Sequence, residues 1–469
     1  MSKPEAMKNN RKLFLALVAL VVFAPLPLGS NRPWAWAILE AGAFSILSLW
    51  LASHWNRPFN LSPTVRHART PLMFLCVWLL YTLFQAVPLP AELVKILSSA
   101  SFELYSYALG IEPSALISIS VDRETTLAEF LKYCSYVTIF FMVLVLVDSH
   151  RRIRLLAVAM MLVGLAVAVY GLFNTLTGIE YIWWSPKEHY RGFVTGTFIN
   201  RNHLAGHLEI VIPLTLGLLM AGRGRARYYP NLKVRIRTFF SFVLEGEGRI
   251  AVYLLIMFAA LFLSGSRGGV ASMFAALFIG FFVAVLVKGR SSGEARFAPF
   301  ILVMALVASL WLGLGSLPDR YEATGGNIAA RTNVWSPALE LSGNYPLFGS
   351  GAGTFKYIFP MYEDGSLKGY YDHAHNDYLE VLTDQGVIGF ILLGSAVVLL
   401  MIKILTGFAR RRDPLMRSML FASLVGSVSL LLHALVDFNF QIPANAVYFY
   451  LLLGIGIVAA TLRRTQNTR

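Results

Sequence analysis

The sequence predicts an all-α integral membrane protein of about twelve transmembrane helices. Three observations predict it. The 469-residue chain is 56% apolar and only 14% charged, whereas soluble globular chains run near half apolar and about a quarter charged. Apolar runs close to the roughly 20 residues that a bilayer-crossing helix needs recur along it. Basic residues gather between alternate runs.

The runs fall near 13–29, 34–53, 71–88, 132–148, 154–174, 203–221, 250–265, 268–288, 298–316, 385–406, 416–436 and 444–462. The first, Leu13 to Leu28, has no small-x-small exit and more spans follow it, so it reads as a span and not as a cleaved signal. Only Gly265-Ser266-Arg267 separates the seventh from the eighth, which makes them a tight helical hairpin. Lys3, Lys8, Arg11 and Lys12 mark the starting side. Alternating from there, 54–70, 149–154, 222–249, 288–297, 403–417 and the tail join the N-terminus, and together they hold 28 of the 40 Lys and Arg residues. Basic loops stay in the cytoplasm, so both termini are expected inside. Topology thus accounts for the net charge of +14 and argues against a nucleic-acid partner. Arg223 to Arg237 also suits anionic lipid. Cys76 and Cys134 lie in or beside apolar runs and suggest neither a disulfide nor a metal site.

No repeat, heptad or low-complexity tract appears. Residues 1–469 read as one polytopic membrane domain with two large outward loops, 89–131 and 317–384. The first opens on Pro88-Leu89-Pro90 and carries an amphipathic run (Leu93, Ile96, Leu97, Phe102, Leu104), expected to be a helix lying on the membrane surface. In the second, Arg331 to Leu341 reads as a helix with Val334, Trp335, Ala338, Leu339 and Leu341 on one face. Gly343, Asn344 and Pro346 stop it. Gly349-Ser350-Gly351-Ala352-Gly353 then turns tightly. The loop closes on Asp372-His373-Ala374-His375-Asn376-Asp377-Tyr378-Leu379-Glu380, the densest cluster of titratable groups in the chain, at the mouth of the tenth span.

Alternation places four polar clusters on this same outward side. They are Arg191-Gly192 with Thr195 to His203, Ser264 to Gly269, the histidine stretch, and His433 with Asp437. Charge convergent at one depth of a bundle suggests a site. Arg191 and Arg267 carry fixed, forked donors suited to phosphate oxygens. Asn200 or Asn202 can cap the sixth span and aim its free N–H groups at an anion. A histidine can take a proton from a hydroxyl near neutral pH. Together these fit attack of a hydroxyl on a carbon whose leaving group is a diphosphate. Plainer readings stand beside each. Arg267 also suits a headgroup anchor, Arg191 a partner for Glu188, and Arg201 a loop charge. His373 suits a loop cap. His433 with Asp437 suits a polar tie between helices. His-x-His flanked by Asp372 and Asp377 is also a zinc pattern, although no further His/Cys pair stands at ligand spacing nearby. Glu40, inside the second span, has no nameable partner.

In order, the chain carries Arg191-Gly192, then Gly196-Thr197-Phe198-x-Asn200-x-Asn202-x-x-Ala205-Gly206, then Ser266-Arg267-Gly268. Arg331-x-x-x-Trp335 and Pro346-Leu347-Phe348-Gly349-x-Gly351-x-Gly353-x-Phe355 follow. His375-Asn376-x-Tyr378-Leu379-Glu380 and Gly386-Val387-Ile388-Gly389 complete the series. This series resembles the bacterial O-antigen ligase and O-antigen polymerase superfamily, which also includes protein O-oligosaccharyltransferases. The resemblance is close over 190–390 and extends to the twelve-span layout. It implies a metal-independent, inverting glycosyltransferase of the GT-C type, without a cofactor. Such an enzyme takes a glycan from undecaprenyl diphosphate at the periplasmic face of the inner membrane. Carried over by residue, Arg191 and Arg267 hold the diphosphate, His375 activates the acceptor hydroxyl, and Asp437 is an acidic position near the site. Asn200, Asn202, His373, Asn376 and Tyr378 support them, with His373 lacking a firm counterpart. One departure stands out: Asn200-Arg201-Asn202 stands where the family often has Asn-Pro-Asn. That changes the helix start and adds a charge able to touch glycan.

The acceptor expected from this resemblance is lipid A core, as in a ligase, or another lipid-linked repeat unit, as in a polysaccharide polymerase. Protein O-glycosylation is a further option. A twelve-span transporter also fits two cytoplasmic termini, but transporter sites sit at the bilayer midplane between related halves. Here the halves are dissimilar and the polar clusters lie at one surface. A scaffold role beside polysaccharide export machinery is compatible with any of these.

Overall fold

The computed structural model describes residues 3–55, 62–110, 115–222, 246–288, 333–363, 365 and 371–462. In chain order its helices begin with α1 (Lys3–Phe23), α2 (Pro33–His54), α3 (Pro63–His67), α4 (Arg69–Gln85), α5 (Ala91–Leu97), α6 (Ser99–Leu109), α7 (Arg123–Leu146) and α8 (His150–Thr177). There follow α9 (Arg201–Ala221), α10 (Glu247–Leu263), α11 (Arg267–Lys288), α12 (residues 333–344), α13 (Asp377–Arg410), α14 (Pro414–His433) and α15 (Pro443–Thr461).

Eight of the described helices (α2, α7, α8, α9, α11, α13, α14 and α15) are long and apolar enough to cross a membrane. This is a mostly helical, multi-pass membrane protein. Helices also stand at three more of the expected spans. Of these, α1 is charged over its first half, and α4 and α10 run 17 residues each. The expected span at 298–316 lies outside the described residues, as do 317–332 of the second loop and nearly all of the basic stretch 222–249.

The bundle is built around α9, α14 and α15. Their most apolar stretches are 89%, 72% and 89% buried, against 22% for α13. A helix apolar on every side belongs in the middle, and small residues let these three approach closely. A Cβ on Gly217 would stand 2.8 Å from the Ser418 carbonyl oxygen, and one on Gly426 2.7 Å from Leu452. The Ser423 hydroxyl donates across to the Leu452 carbonyl at 2.8 Å. Side-chain caps set the helix starts. Asp122 caps α7, Ser149 caps α8, Asn200 caps α9, Asn376 caps α13 and Asp413 caps α14. Two helices therefore begin earlier than their apolar runs. α7 starts at Arg123 inside the first outward loop, and α13 starts at Asp377 inside the second.

The described parts of loops 89–131 and 317–384 form one cap. In the first, Leu89 and Pro90 pair antiparallel with Ile117 and Leu116. Its expected surface helix is two helices, α5 and α6. Leu93 and Ile96 stay exposed, consistent with a membrane-facing side, but Leu104 packs into the second loop's core. There Val334, Ala338 and Leu341 of α12 are buried as expected, whereas Leu339 is 58% exposed and does not share their face. The Val121 N–H donates to the Ser350 carbonyl and the Thr126 hydroxyl to that of Ala352, which ties the loops together.

α13 is broken at Gly386, whose φ of 60° and ψ of −172° are not helical. The second loop fills the break. Val387 N–H donates to the Pro346 carbonyl, while Ser350 and Gly351 N–H groups donate to the carbonyls of Thr383 and Asp384. Asp384 accepts from the N–H groups of Gly353 and Phe355 at 2.7 and 3.0 Å. Gln85 and Tyr81 of α4 donate to backbone carbonyls on both sides of the junction. A Cβ on residue 386 would collide with the Leu347 carbonyl, and the positive φ strains any other residue. Gly386→Ala is therefore expected to cost about 1–3 kcal/mol. The measurement is the thermal midpoint of the detergent-solubilised protein; an unchanged midpoint would show that the junction tolerates a side chain.

Candidate functional site

Three helices, α9, α11 and α13, begin at the end of the bundle where α14 finishes. The peptide dipoles of these helices leave partial positive charge at one place. Asn200 accepts from the Asn202 N–H at 2.9 Å, and of the two expected capping residues it is the one that caps α9. Asn376 accepts from Tyr378 and Leu379 N–H groups at 3.0 and 3.1 Å. At the start of α11 the Ser266 hydroxyl oxygen accepts from the Gly269 N–H at 3.3 Å.

Asp437 lies at the centre, fully buried. Asn202 donates to its Oδ2 at 2.6 Å and Phe438 N–H to its Oδ1 at 2.9 Å. His375 Nδ1 stands 3.8 Å from Oδ1, and His433 Nε2 4.0 Å from Oδ2. His375 is partly exposed and holds a φ of 50°, a left-handed conformation uncommon for a residue other than glycine. Backbone strain of this kind gathers at functional sites. Loop and helix over-determine it: Trp335 Nε1 donates to the Ala374 carbonyl at 3.1 Å, and Asp377 N–H to that of Ala434 at 2.9 Å.

The carboxylate facing His375 is Asp437. Glu380 and Asp377 are the nearer candidates in sequence, but both are engaged elsewhere. Glu380 accepts from His373 Nδ1 at 2.7 Å and from Ala374 N–H at 3.0 Å. Asp377 accepts from Phe440 N–H at 3.1 Å. The two histidines thus take different carboxylates. Among the described residues no group of three His, Cys, Asp or Glu side chains is placed to hold a metal ion. Tyr378 anchors α13 to α14 by donating to the Leu431 carbonyl at 2.7 Å. Phe438 packs against three histidine rings, those of His203, His373 and His375, at centroid distances of 4.7, 4.4 and 4.8 Å.

Arg267 is the exposed first residue of α11. Behind it a Cβ on Gly268 would stand 3.1 Å from the His433 ring. Arg191, also exposed, sits on a separate hairpin, where its Nε donates to the Lys187 carbonyl at 2.9 Å. Buried Lys187 braces that hairpin through Glu180 Oε2 at 2.8 Å and the Phe193 carbonyl at 3.0 Å. Partial burial would raise the Glu180 carboxyl. Hydrogen bonds from Lys187 and the Gly192 N–H, with the charges of Lys187 and Arg191, outweigh it and hold the group below its ordinary value. The hairpin joins the site end through Phe193. The Arg201 guanidinium lies 4.1 Å from that ring, and a Cβ on Gly265 would stand 2.9 Å from Arg201 Nη1. Arg201, which reads in the sequence as a loop charge, therefore packs beside the Arg267 turn.

Sequence reasoning missed Glu209, Lys187 and Phe438. Glu209 had a signal, a lone carboxylate inside an apolar run. Lys187 and Phe438 had none, because their roles arise only from contacts across the fold.

Residues 252–394 match a family model described as O-Antigen ligase, and the match supports the O-antigen ligase superfamily. A comparison with curated proteins finds no match. Arg267, His373, His375, Asn376, Tyr378 and Glu380 lie within the matched stretch; Arg191, Asn200, Asn202 and Asp437 lie outside it.

Burial would lower the His373 imidazole, but the Glu380 carboxylate more than offsets this and raises it above its ordinary value. The stabilisation is then complete below the usual histidine value of roughly 6.5 and is lost as pH rises through the raised one. Wild type is expected to lose thermal midpoint relative to His373→Gln as pH rises from roughly 6.5 through the raised value. Parallel midpoint curves for the two proteins would exclude the pair as a source of pH-dependent stability.

Proposed function

We propose that this member of the O-antigen ligase superfamily is a glycosyltransferase, moving a glycan from undecaprenyl diphosphate to an acceptor hydroxyl at the periplasmic face of the inner membrane. The observation that carries the reading is a histidine facing a buried carboxylate, set at one end of the bundle with the Arg267 turn and three helix starts. His375 takes the proton of the acceptor hydroxyl as its oxygen bonds to the anomeric carbon. The bond from that carbon to the diphosphate breaks on the opposite face, and its electron pair leaves with the diphosphate oxygen. Arg191 and Arg267 stabilise the growing charge, assisted by the positive dipole ends of the three helices. Asp437 orients His375 and offsets the imidazolium that forms. Asn202 and the Phe438 N–H keep Asp437 in place, and Asn200 and Asn376 cap and fix the starts of α9 and α13.

The favoured acceptor is a sugar hydroxyl of lipid A core. The polymerase reading draws on one observation: α5 exposes Leu93 and Ile96 beside the cap, a surface suited to an acceptor carried on lipid. Protein glycosylation and transport have no comparable support.

His375→Ala is expected to lower transfer by roughly 10²–10⁴-fold, and Arg267→Ala by about 10²-fold or more. Both proteins should remain in the membrane. The assay is glycan transfer in membranes from cells expressing each variant, normalised to protein amount, with products separated into core-linked and lipid-linked fractions. Normal transfer by His375→Ala would remove the base assignment; product in the lipid-linked fraction alone would favour the polymerase.

A further inference from the structure

Glu209 lies inside α9 and is fully buried. The transfer mechanism above gives it no task, yet both of its oxygens are used. Oε1 stands 2.7 Å from His433 Nδ1, and Oε2 accepts from the Ser429 hydroxyl at 2.8 Å. With Nδ1 taken up by Glu209, Nε2 is the nitrogen that faces Asp437, 4.0 Å away. The groups run in series: Glu209, His433, Asp437, His375. The first three are at most 1% exposed.

The series is closed from a third side. A Cβ on Gly268 would stand 3.1 Å from the His433 ring, and one on Gly269 2.9 Å from Glu209 Oε1. The turn that follows Arg267 rests directly on the pair. It does so without room for a larger residue unless the pair moves.

A simple tie between α9 and α14 does not need a carboxylate. Glutamine would reach the same two partners with a smaller desolvation cost. What the carboxylate adds is charge, which favours an imidazolium with an N–H at each ring nitrogen, and the group beyond that imidazole is Asp437. We infer that Glu209 and His433 form a positioning pair for the transfer reaction. They set the placement of Asp437, and through it the orientation of His375. Neither residue is assigned contact with substrate. The inference rests on His375 being the base.

The test uses the full chain in lipid nanodiscs, with the undecaprenyl-diphosphate-linked glycan pool extracted from the source cells as donor. Glu209→Gln keeps the volume and should lower kcat by about tenfold or more, as loss of a residue that orients a catalytic group does. KM for the lipid-linked glycan and binding of undecaprenyl diphosphate alone should stay within about threefold. In an Asp437→Asn background the same change should cost nothing further, because the two act in one series. His433→Gln should behave alike and serves if Glu209→Gln does not fold. Wild-type kcat in Glu209→Gln overturns the inference, as does a loss matched by the loss of folded protein or one that adds fully to that of Asp437→Asn. His375→Ala, run in parallel, separates the two levels. Full activity there removes the base and the positioning pair together. An inactive His375→Ala beside a fully active Glu209→Gln removes only the pair.

Discussion

Asp437 has no contact with water, and a buried carboxylate without partners would cost several kcal/mol. Its satisfaction therefore dictates what surrounds it. Asn202 comes from the first turn of α9 and the Phe438 N–H from the segment after α14, while His375, on the loop that leads into α13, faces the carboxylate at 3.8 Å. Each is held by a further contact of its own. Asn200 caps α9, Asn376 caps α13, and Asn445 of α15 donates to the His203 carbonyl at 3.0 Å. The polar floor of the site and the contact among its central helices are thus one arrangement. Moving any of these helices by a fraction of a turn leaves the carboxylate unmatched.

A second constraint comes from above. The Gly386 break hands the free backbone groups of α13 to the second loop, and Asp384 binds that loop by its own N–H groups. Trp335 then holds the Ala374 carbonyl between the two histidines. The cap reaches the site through backbone hydrogen bonds, which specify position more narrowly than apolar packing does. This is how a loop residue can hold a left-handed conformation at His375.

Much of this was legible from residue types. Apolar runs located the described spans because the bilayer imposes their length. The histidine stretch, the Arg267 turn and Asp437 stood out because titratable groups beside membrane helices are costly. A cap at Asn200 or Asn202 followed from their place just ahead of an apolar run, and the structure selects Asn200. Partner choice was not legible. Glu380 lies one helical turn past Asn376 and looks well placed for His375, yet the left-handed backbone at His375 turns that ring toward Asp437 and leaves Glu380 to His373. Nor did the pattern reveal the break at Gly386. Glycines are frequent in membrane helices, and only the carbonyls of Pro346 and Leu347 distinguish this one. Leu339 misled for a related reason: on a short loop helix, spacing names two adjacent stripes and tertiary packing chooses between them.

The bond between Glu209 and Ser429 spans 220 positions of sequence. At translation rates of about 5–20 residues per second, that interval is roughly 10–45 s. α9 is thus synthesised and delivered to the membrane well before Ser429, His433 and Asp437 exist. During that time Glu209 and Asn202 lack the partners that they have in the finished protein. The chain must be held, protonated or hydrated by something other than itself until α14 arrives. These same groups make the arrival of α14 the step that commits the bundle to its final packing.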